Sequence, residues 1–80
     1  MLVKVQLFAS LKETLGEIIE LDVPEPATVH RLLDCFLELA PQFQDARRNL
    51  NVAIDLEYSA GDREIAPGQE IAIFPPVSGG

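Results

Sequence analysis

The residues best suited to chemistry in this sequence occupy its last six positions. Pro75 and Pro76 are followed by Val77-Ser78-Gly79-Gly80, and residues 71–80 carry no charge although 24% of the chain is charged. Two glycines leave the Gly80 carboxylate on a backbone without side chains, so it can pass through a channel too narrow for other residues. We therefore predict that residues 75–80 deliver this carboxylate into another protein; the alternative is a frayed terminus without a function.

The two prolines also predict where the folded part ends. Proline has no backbone N–H and holds the residue before it in extended geometry, so a strand that reaches Phe74 stops there and the chain leaves the sheet. Six extended residues from Pro75 span about 19 Å at roughly 3.1 Å per residue. Residues 1–74 are thus expected to form one domain, and residues 75–80 a flexible tail.

A mixed sheet packed on one main helix is expected to position this tail. Thr28 can cap a helix that ends before Pro41, and apolar residues follow helical spacing between them. These apolar positions are Val29, Leu32, Leu33, Phe36, Leu39 and Ala40. Strands are predicted at residues 2–9, 17–23, 50–54, near Tyr58 and at 70–74. One helix covers only one face of such a sheet, so the predicted fold class is α+β in the β-grasp arrangement, with the second face open.

The connections between these elements are predicted to be loops and turns. Residues 10–16 are interpreted as the short polar link of a hairpin, and residues 42–48 as one loose helical turn or a loop. A turn is expected at residues 55–57, and Pro67-Gly68 has the residue types of a type II turn.

Charge and cysteine content exclude several classes of protein. Six Lys+Arg against thirteen Asp+Glu give a net charge of −7, which repels nucleic acid and anionic lipid surfaces alike. The single cysteine, Cys35, cannot form an internal disulfide, and the sequence has no Cys/His cluster with the spacing of a zinc site. Neither an export signal nor a membrane span is visible. We therefore expect a cytoplasmic protein without nucleic-acid, membrane or metal partners.

Five segments of the sequence together form a recognisable pattern. They are Phe74-Pro75-Pro76-Val77-Ser78-Gly79-Gly80, Pro67-Gly68-Gln69-Glu70-Ile71, Val5-Gln6-Leu7-Phe8-Ala9, Leu11-Lys12-Glu13 and Leu15-Gly16. This pattern spans the chain and resembles the small subunits of molybdopterin synthase, which are ubiquitin-like sulfur carriers. Asp55 departs from it, because Asn is expected before the turn.

The resemblance implies a function for Gly80. A ubiquitin-activating-type adenylyltransferase would use ATP to adenylate its carboxylate, and a sulfur donor enzyme would replace AMP by sulfur, giving a thiocarboxylate. The tail would then enter the large subunit of molybdopterin synthase, where the sulfur attacks a cyclic pyranopterin precursor of the molybdenum cofactor. The family further implies a heterotetramer whose catalytic groups belong to the large subunit, and no cofactor bound to this chain.

Three aromatic residues are candidates for docking these partners. In the β-grasp arrangement the first and last strands are adjacent and parallel, so Phe8 and Phe74 should be neighbours where the tail departs. We predict that they form, with Tyr58, an apolar patch for the large subunit and the activating enzyme.

The remaining reactive and charged residues indicate no catalytic constellation. Cys35 is interpreted as a semi-buried structural residue, and His30 as a solvated one. Arg47-Arg48 is the only basic pair; it is interpreted as solvated surface, with contact to acidic groups of a partner as the alternative.

Three other classes of protein share parts of this pattern. Carriers for thiamine or cysteine synthesis also end in Gly-Gly, so only residues 74–78 argue against them. A ubiquitin-like modifier would use the same Gly80 adenylate to form isopeptide bonds with lysines of other proteins. A plain interaction domain is the third alternative, for which the tail would have no role.

Overall fold

In a computed structural model, which describes residues 1–76, five strands form one mixed sheet that packs on one long helix. The strands are β1 (Leu2–Leu7), β2 (Ile18–Asp22), β3 (Asn51–Ile54), β4 (Glu57–Tyr58) and β5 (Ile71–Phe74). Their order is β2-β1-β5-β3-β4, with β1 and β5 parallel and the other pairs antiparallel. This topology confirms the α+β class and the β-grasp arrangement.

The core lies between one face of the sheet and α2 (Val29–Leu39). Val3, Val5 and Leu7 of β1 are buried, as their alternation predicted. The helix and its C-cap contribute a buried stripe to the same cluster, namely Val29, Leu32, Leu33, Phe36, Leu37 and Ala40. The prediction for Leu39 was wrong: it is 53% exposed, because the i, i+3, i+4, i+7, i+8 spacing continues through Leu37 instead.

Both ends of α2 follow signals in the sequence. The Thr28 hydroxyl accepts a hydrogen bond from the Arg31 backbone N–H at 3.2 Å, which is the contact expected of an N-cap. After the helix, a 3₁₀ helix extends over Pro41–Asn49, where the sequence predicted a loop or a single loose turn at residues 42–48. Its last turn carries Arg47 and Arg48, so Asn49 and Leu50 separate this basic pair from β3.

A second helix, α1 (Ala9–Leu15), replaces the polar link predicted for residues 10–16. Its 7 residues are mostly polar, which is typical of a loop, whereas in the structure Leu11 is fully buried and Leu15 packs partly against the core. A spacing of four places these two leucines on one helical face. Gly16 ends the helix with a φ of 97°, a left-handed value that favours glycine. None of the helices described has the length and apolar character needed to cross a bilayer.

Candidate functional site

Phe8, Tyr58 and Phe74 form one cluster on the face of the sheet that α2 leaves open, here called the aromatic cluster. The rings of Phe8 and Phe74 stack with centroids 4.4 Å apart, and the Tyr58 ring packs edge-on against Phe74 at 5.8 Å. Tyr58 is 72% exposed, whereas both phenylalanines are half-buried. The expected proximity of Phe8 and Phe74 is confirmed, and Tyr58 joins them; their docking role stays a prediction.

Strand register explains why these three residues meet. In the parallel pair of β1 and β5 the last core residues lie side by side, so Phe8 and Phe74 follow at the same end of the sheet. Ala53 of β3 is the register partner of Ala72 on one side and of Tyr58 on the other. Because both alanines are small, the Tyr58 ring can reach the phenylalanine rings across them. A groove of about 200 Å³ remains beside the three rings.

The predicted tail begins at this cluster. Phe74 is the last residue of β5, Pro75 is half-buried and Pro76 is exposed. Neither proline has an N–H group to extend the ladder of backbone hydrogen bonds. The predicted site residues Val77, Ser78, Gly79 and Gly80 lie outside the described residues. The structure therefore locates the point from which these residues follow, directly beside the aromatic rings.

Leu56 is a further apolar residue of this surface that the sequence analysis did not single out. It is 89% exposed and lines the same groove as Phe8 and Tyr58. Asp55 and Leu56 form the turn between β3 and β4, one residue shorter than expected, with φ values of 50° and 71°. Such two-residue turns favour Asn or Asp followed by Gly, and the left-handed conformation costs a leucine about 1–2 kcal/mol. Leucine is an unfavourable residue type at this turn, and this was the feature of the sequence that could have identified Leu56.

The Asp55 carboxylate holds this turn in place. One of its oxygens accepts a hydrogen bond from the Glu70 backbone N–H at 2.9 Å, and the other accepts one from the Gln69 side-chain amide at 3.3 Å. Gln69 also accepts a hydrogen bond from the Ala66 backbone N–H at 2.7 Å, which ties in the turn before β5. These bonds fix where Leu56 is presented on the open face.

The other candidate reactive groups form no catalytic arrangement among residues 1–76. Cys35 is half-buried against the core, as expected, and its thiol donates to the Asp22 carbonyl oxygen at 3.6 Å. Burial, together with the carboxylates of Glu38 and Asp34, raises the pKa of the Cys35 thiol, so the thiol stays protonated and weakly nucleophilic at neutral pH. His30 is exposed, and this part of the chain contains no group of three or more His, Cys, Asp or Glu side chains that could hold a metal ion.

Known proteins share the sequence pattern of this chain and identify its family. The ThiS family model matches residues 5–80, which include the aromatic cluster and Gly80. The chain belongs to the ThiS family. As a ThiS protein it has relatives that carry two different functional names.

One relative of this ThiS chain is the molybdopterin synthase sulfur carrier subunit of Dictyostelium discoideum. It is 36% identical over 81 residues, which cover 96% of this chain and 94% of the relative. Small archaeal modifier protein 1 of Haloferax volcanii is 34% identical over 84 residues, covering 94% of this chain and 97% of its own. Its crystal structure superposes with a TM-score of 0.78 over 100% of both chains, at 33% identity.

A third comparison concerns the protein–protein complex of subunits 1 and 2 of the molybdopterin-converting factor from Helicobacter pylori. One chain of that complex superposes on the ThiS chain with a TM-score of 0.63, covering 100% of both chains at 22% identity. At this identity the likeness shows the shared fold alone.

Proposed function

We propose that this chain is the sulfur carrier subunit of a molybdopterin synthase, in which the Gly80 carboxylate is the group that carries sulfur. The observation that supports it most is the ThiS match through residue 80, combined with the aromatic cluster at the root of the Pro75-Pro76 pair. The Dictyostelium relative bears the same functional name.

The proposed cycle begins with the activation of Gly80. Because a carboxylate is a poor electrophile, an adenylyltransferase of the ubiquitin-activating type first joins it to the AMP part of ATP and releases pyrophosphate. A sulfur donor enzyme then supplies sulfur at the oxidation level of sulfide, which attacks the carbonyl carbon and expels AMP. The resulting thiocarboxylate has an anionic sulfur that is nucleophilic at neutral pH for the same reason as a thiolate. We place this ATP-dependent cycle in the cytoplasm.

Transfer takes place when the tail enters the large subunit. The thiocarboxylate sulfur attacks a carbon of the cyclic pyranopterin precursor. A C–S bond forms there while a C–O bond at the same carbon breaks, and the oxygen leaves with a proton supplied by the large subunit. Water then cleaves the bond between this sulfur and the Gly80 carbonyl carbon, so the carboxylate returns and the sulfur stays on the pterin. Two such transfers supply the dithiolene of molybdopterin. The acid–base and phosphate-binding groups are assigned to the large subunit, and this chain needs no bound cofactor.

Docking is assigned to the aromatic cluster. Phe8, Tyr58 and Phe74 present apolar area beside the point where the tail departs, and aromatic residues are enriched in the centres of interfaces. Leu56 extends this surface at its edge. A partner seated here holds Pro75 at the mouth of its own channel. The large subunit and the activating enzyme therefore compete for one surface, and a large-subunit dimer carries one copy of this chain at each end.

An intact-mass measurement tests this function. The protein is incubated with ATP, a sulfur donor and the candidate activating enzyme, and we expect a mass gain equal to the exchange of one carboxylate oxygen for sulfur. Deletion of Gly80 should abolish the gain, whereas Ser78→Ala, which keeps Gly79-Gly80, should retain it. Adenylate formation without any gain in the presence of the sulfur donor would overturn the assignment.

The similarity to small archaeal modifier protein 1 supports a second candidate function, that of a protein modifier. The Gly80 adenylate would then react with lysine amines, and the product would be an isopeptide bond instead of a thiocarboxylate. Higher-mass conjugates on a reducing, denaturing gel, lost on deletion of Gly80, would favour this candidate.

A further inference from the structure

A second groove opens between α2 and the start of β3, separate from the one beside the aromatic cluster. Its volume is about 290 Å³, and its polar and charged lining residues are His30, Arg47, Arg48, Asn51, Tyr58 and Ser59. Two of these residues are arginines, and none of the described lining residues is acidic, in a chain with 13 Asp+Glu against 6 Lys+Arg. We call it the basic groove.

Contacts of Arg47 and Gly61 hold the basic groove in shape. The Arg47 guanidinium lies 2.7 Å from a carboxylate oxygen of Asp34 and donates to the His30 carbonyl oxygen at 3.2 Å. These contacts tie the 3₁₀ helix to α2 and compensate the charge of Arg47. On the other side the His30 ring lies against Gly61, where an added Cβ would clash with the ring. The His30 ring in this position therefore leaves no room for a side chain at residue 61.

Within residues 1–76, Arg48 is the arginine of the groove that forms no ion pair. Its side chain is exposed, and among residues 1–76 no carboxylate lies within 4.0 Å of its guanidinium. The guanidinium presents a planar fork of N–H donors that matches the two oxygens of a carboxylate. A net charge of −7 repels acidic partners over most of the surface. A groove lined by two arginines, with no Asp or Glu among its lining residues in the described part of the chain, is therefore where an acidic segment can bind.

The basic groove adjoins the aromatic cluster. Tyr58 borders both, because its ring packs against Phe74 and also lines the groove. Asn51, in the groove wall, is the register partner of Phe74, the residue directly before Pro75. A partner that covers the aromatic cluster and receives the tail therefore also reaches the groove.

We propose that the basic groove binds a segment rich in Asp or Glu that belongs to the large synthase subunit, with Arg48 as the residue that pairs with its carboxylates. This inference rests on the proposed function, which supplies the partner. The aromatic cluster contributes apolar area to the complex, whereas Arg48 steers association and fixes how the partner is oriented around the tail.

Charge reversal with a matched control tests the basic groove. Arg48→Glu and Arg31→Glu change the net charge equally, but Arg31 does not line the groove; its described side-chain contact is with the Glu25 carbonyl oxygen. We expect Arg48→Glu to weaken binding to the large subunit about tenfold at low ionic strength and less at high salt, since exposed charges are screened. Arg31→Glu should stay within about twofold of the unaltered protein, the effect typical of a surface charge.

Asn51→Asp is the second variant, because it places a carboxylate in the groove without a change of size. It should weaken binding severalfold with the same salt dependence. An unchanged melting temperature shows that each variant is folded.

The outcomes separate the groove from the proposed function. If the unaltered protein binds the large subunit and Arg48→Glu and Arg31→Glu have equal effects on that binding, the assignment of the groove is overturned. The proposed sulfur carrier function is then unaffected. If the unaltered protein gains sulfur but does not bind the large subunit, the proposed partner and the groove assignment fall together.

Discussion

Apolar residues on the two faces of the sheet differ in their exposure to solvent. On the face covered by α2, Val5, Leu7 and Ile73 have an exposure of 0%, whereas Leu56 and Tyr58 on the open face are 89% and 72% exposed. Burial of apolar area stabilises the fold by roughly 25 cal/mol per Å², but side chains left in water add little. Strand alternation thus separates the residues that stabilise the core from those proposed to dock a partner, and substitutions on the two faces should have different consequences.

The largest expected effect is on the covered face. Phe36→Ala removes a fully buried ring and should lower the free energy of unfolding by about 3–5 kcal/mol, because a cavity is left in the core. Urea denaturation followed by circular dichroism measures it. Leu39→Ala, on the same helix but 53% exposed, is the control and should change stability by less than about 1 kcal/mol. Similar losses for the two variants would contradict the assignment of the core to the buried side of α2 and the sheet face that it covers.

The next effect concerns the aromatic cluster. Phe74→Ala removes the ring that contacts both Phe8 and Tyr58, and it should weaken binding of the large subunit by about 2 kcal/mol, roughly 30-fold. The loss of unfolding free energy should be smaller, about 1 kcal/mol. Calorimetric titration measures binding. The control is Ile18→Ala, which alters a 61% exposed side chain on the edge strand β2; its affinity for the large subunit should stay within about twofold. Unchanged binding of Phe74→Ala would contradict the docking role of the aromatic cluster.

Leu56 offers a smaller effect in which stability and binding move in opposite directions. Leu56→Gly relieves the positive φ of 71° and should raise the free energy of unfolding by about 0.5–1 kcal/mol. Leu56→Ala keeps the strained backbone and should give no such gain. Both variants lose the exposed side chain, so both should weaken binding of the large subunit severalfold. A loss of stability in Leu56→Gly would show that the turn is not strained.

The smallest effect on function is expected at Cys35. Because burial raises the pKa of its thiol, alkylation of the folded protein near pH 8 should be slower than that of the unfolded protein. The folded state keeps its proton to higher pH than the unfolded state, so stability should fall slightly as pH rises above the pKa of the unfolded thiol. Cys35→Ser should retain the mass gain at Gly80. Alkylation that is faster in the folded state would contradict this interpretation.

The long periodic elements of the fold could be predicted from the sequence. The alternation of Val3, Val5 and Leu7 and the Thr28 cap with its helical stripe are local signals. The structure confirms them except for Leu39. Helix α1 was missed because a short polar segment has few apolar positions, and its helical state depends on the burial of Leu11 in the tertiary structure. A local pattern determines the secondary structure of a long segment. In a short segment, tertiary contacts can override it.

The candidate site was predictable to the same extent. The parallel pairing of the first and last strands was enough to bring Phe8 and Phe74 together. The basic groove was not predictable, because it depends on the Arg47–Asp34 ion pair and on the packing of His30 against residue 61, which join segments distant in sequence. The role of Gly80 rests on the residue types of the tail and on the family.

The proposed transfer of sulfur from Gly80 to the pterin precursor is tested most directly in a single turnover. Protein that carries the thiocarboxylate is mixed with the large subunit and the cyclic pyranopterin precursor, and its intact mass is followed with time. We predict that the mass returns to that of the carboxylate only when both are present, while the sulfur appears on the precursor. A mass that stays unchanged, or one that falls equally fast without the precursor, would contradict the account.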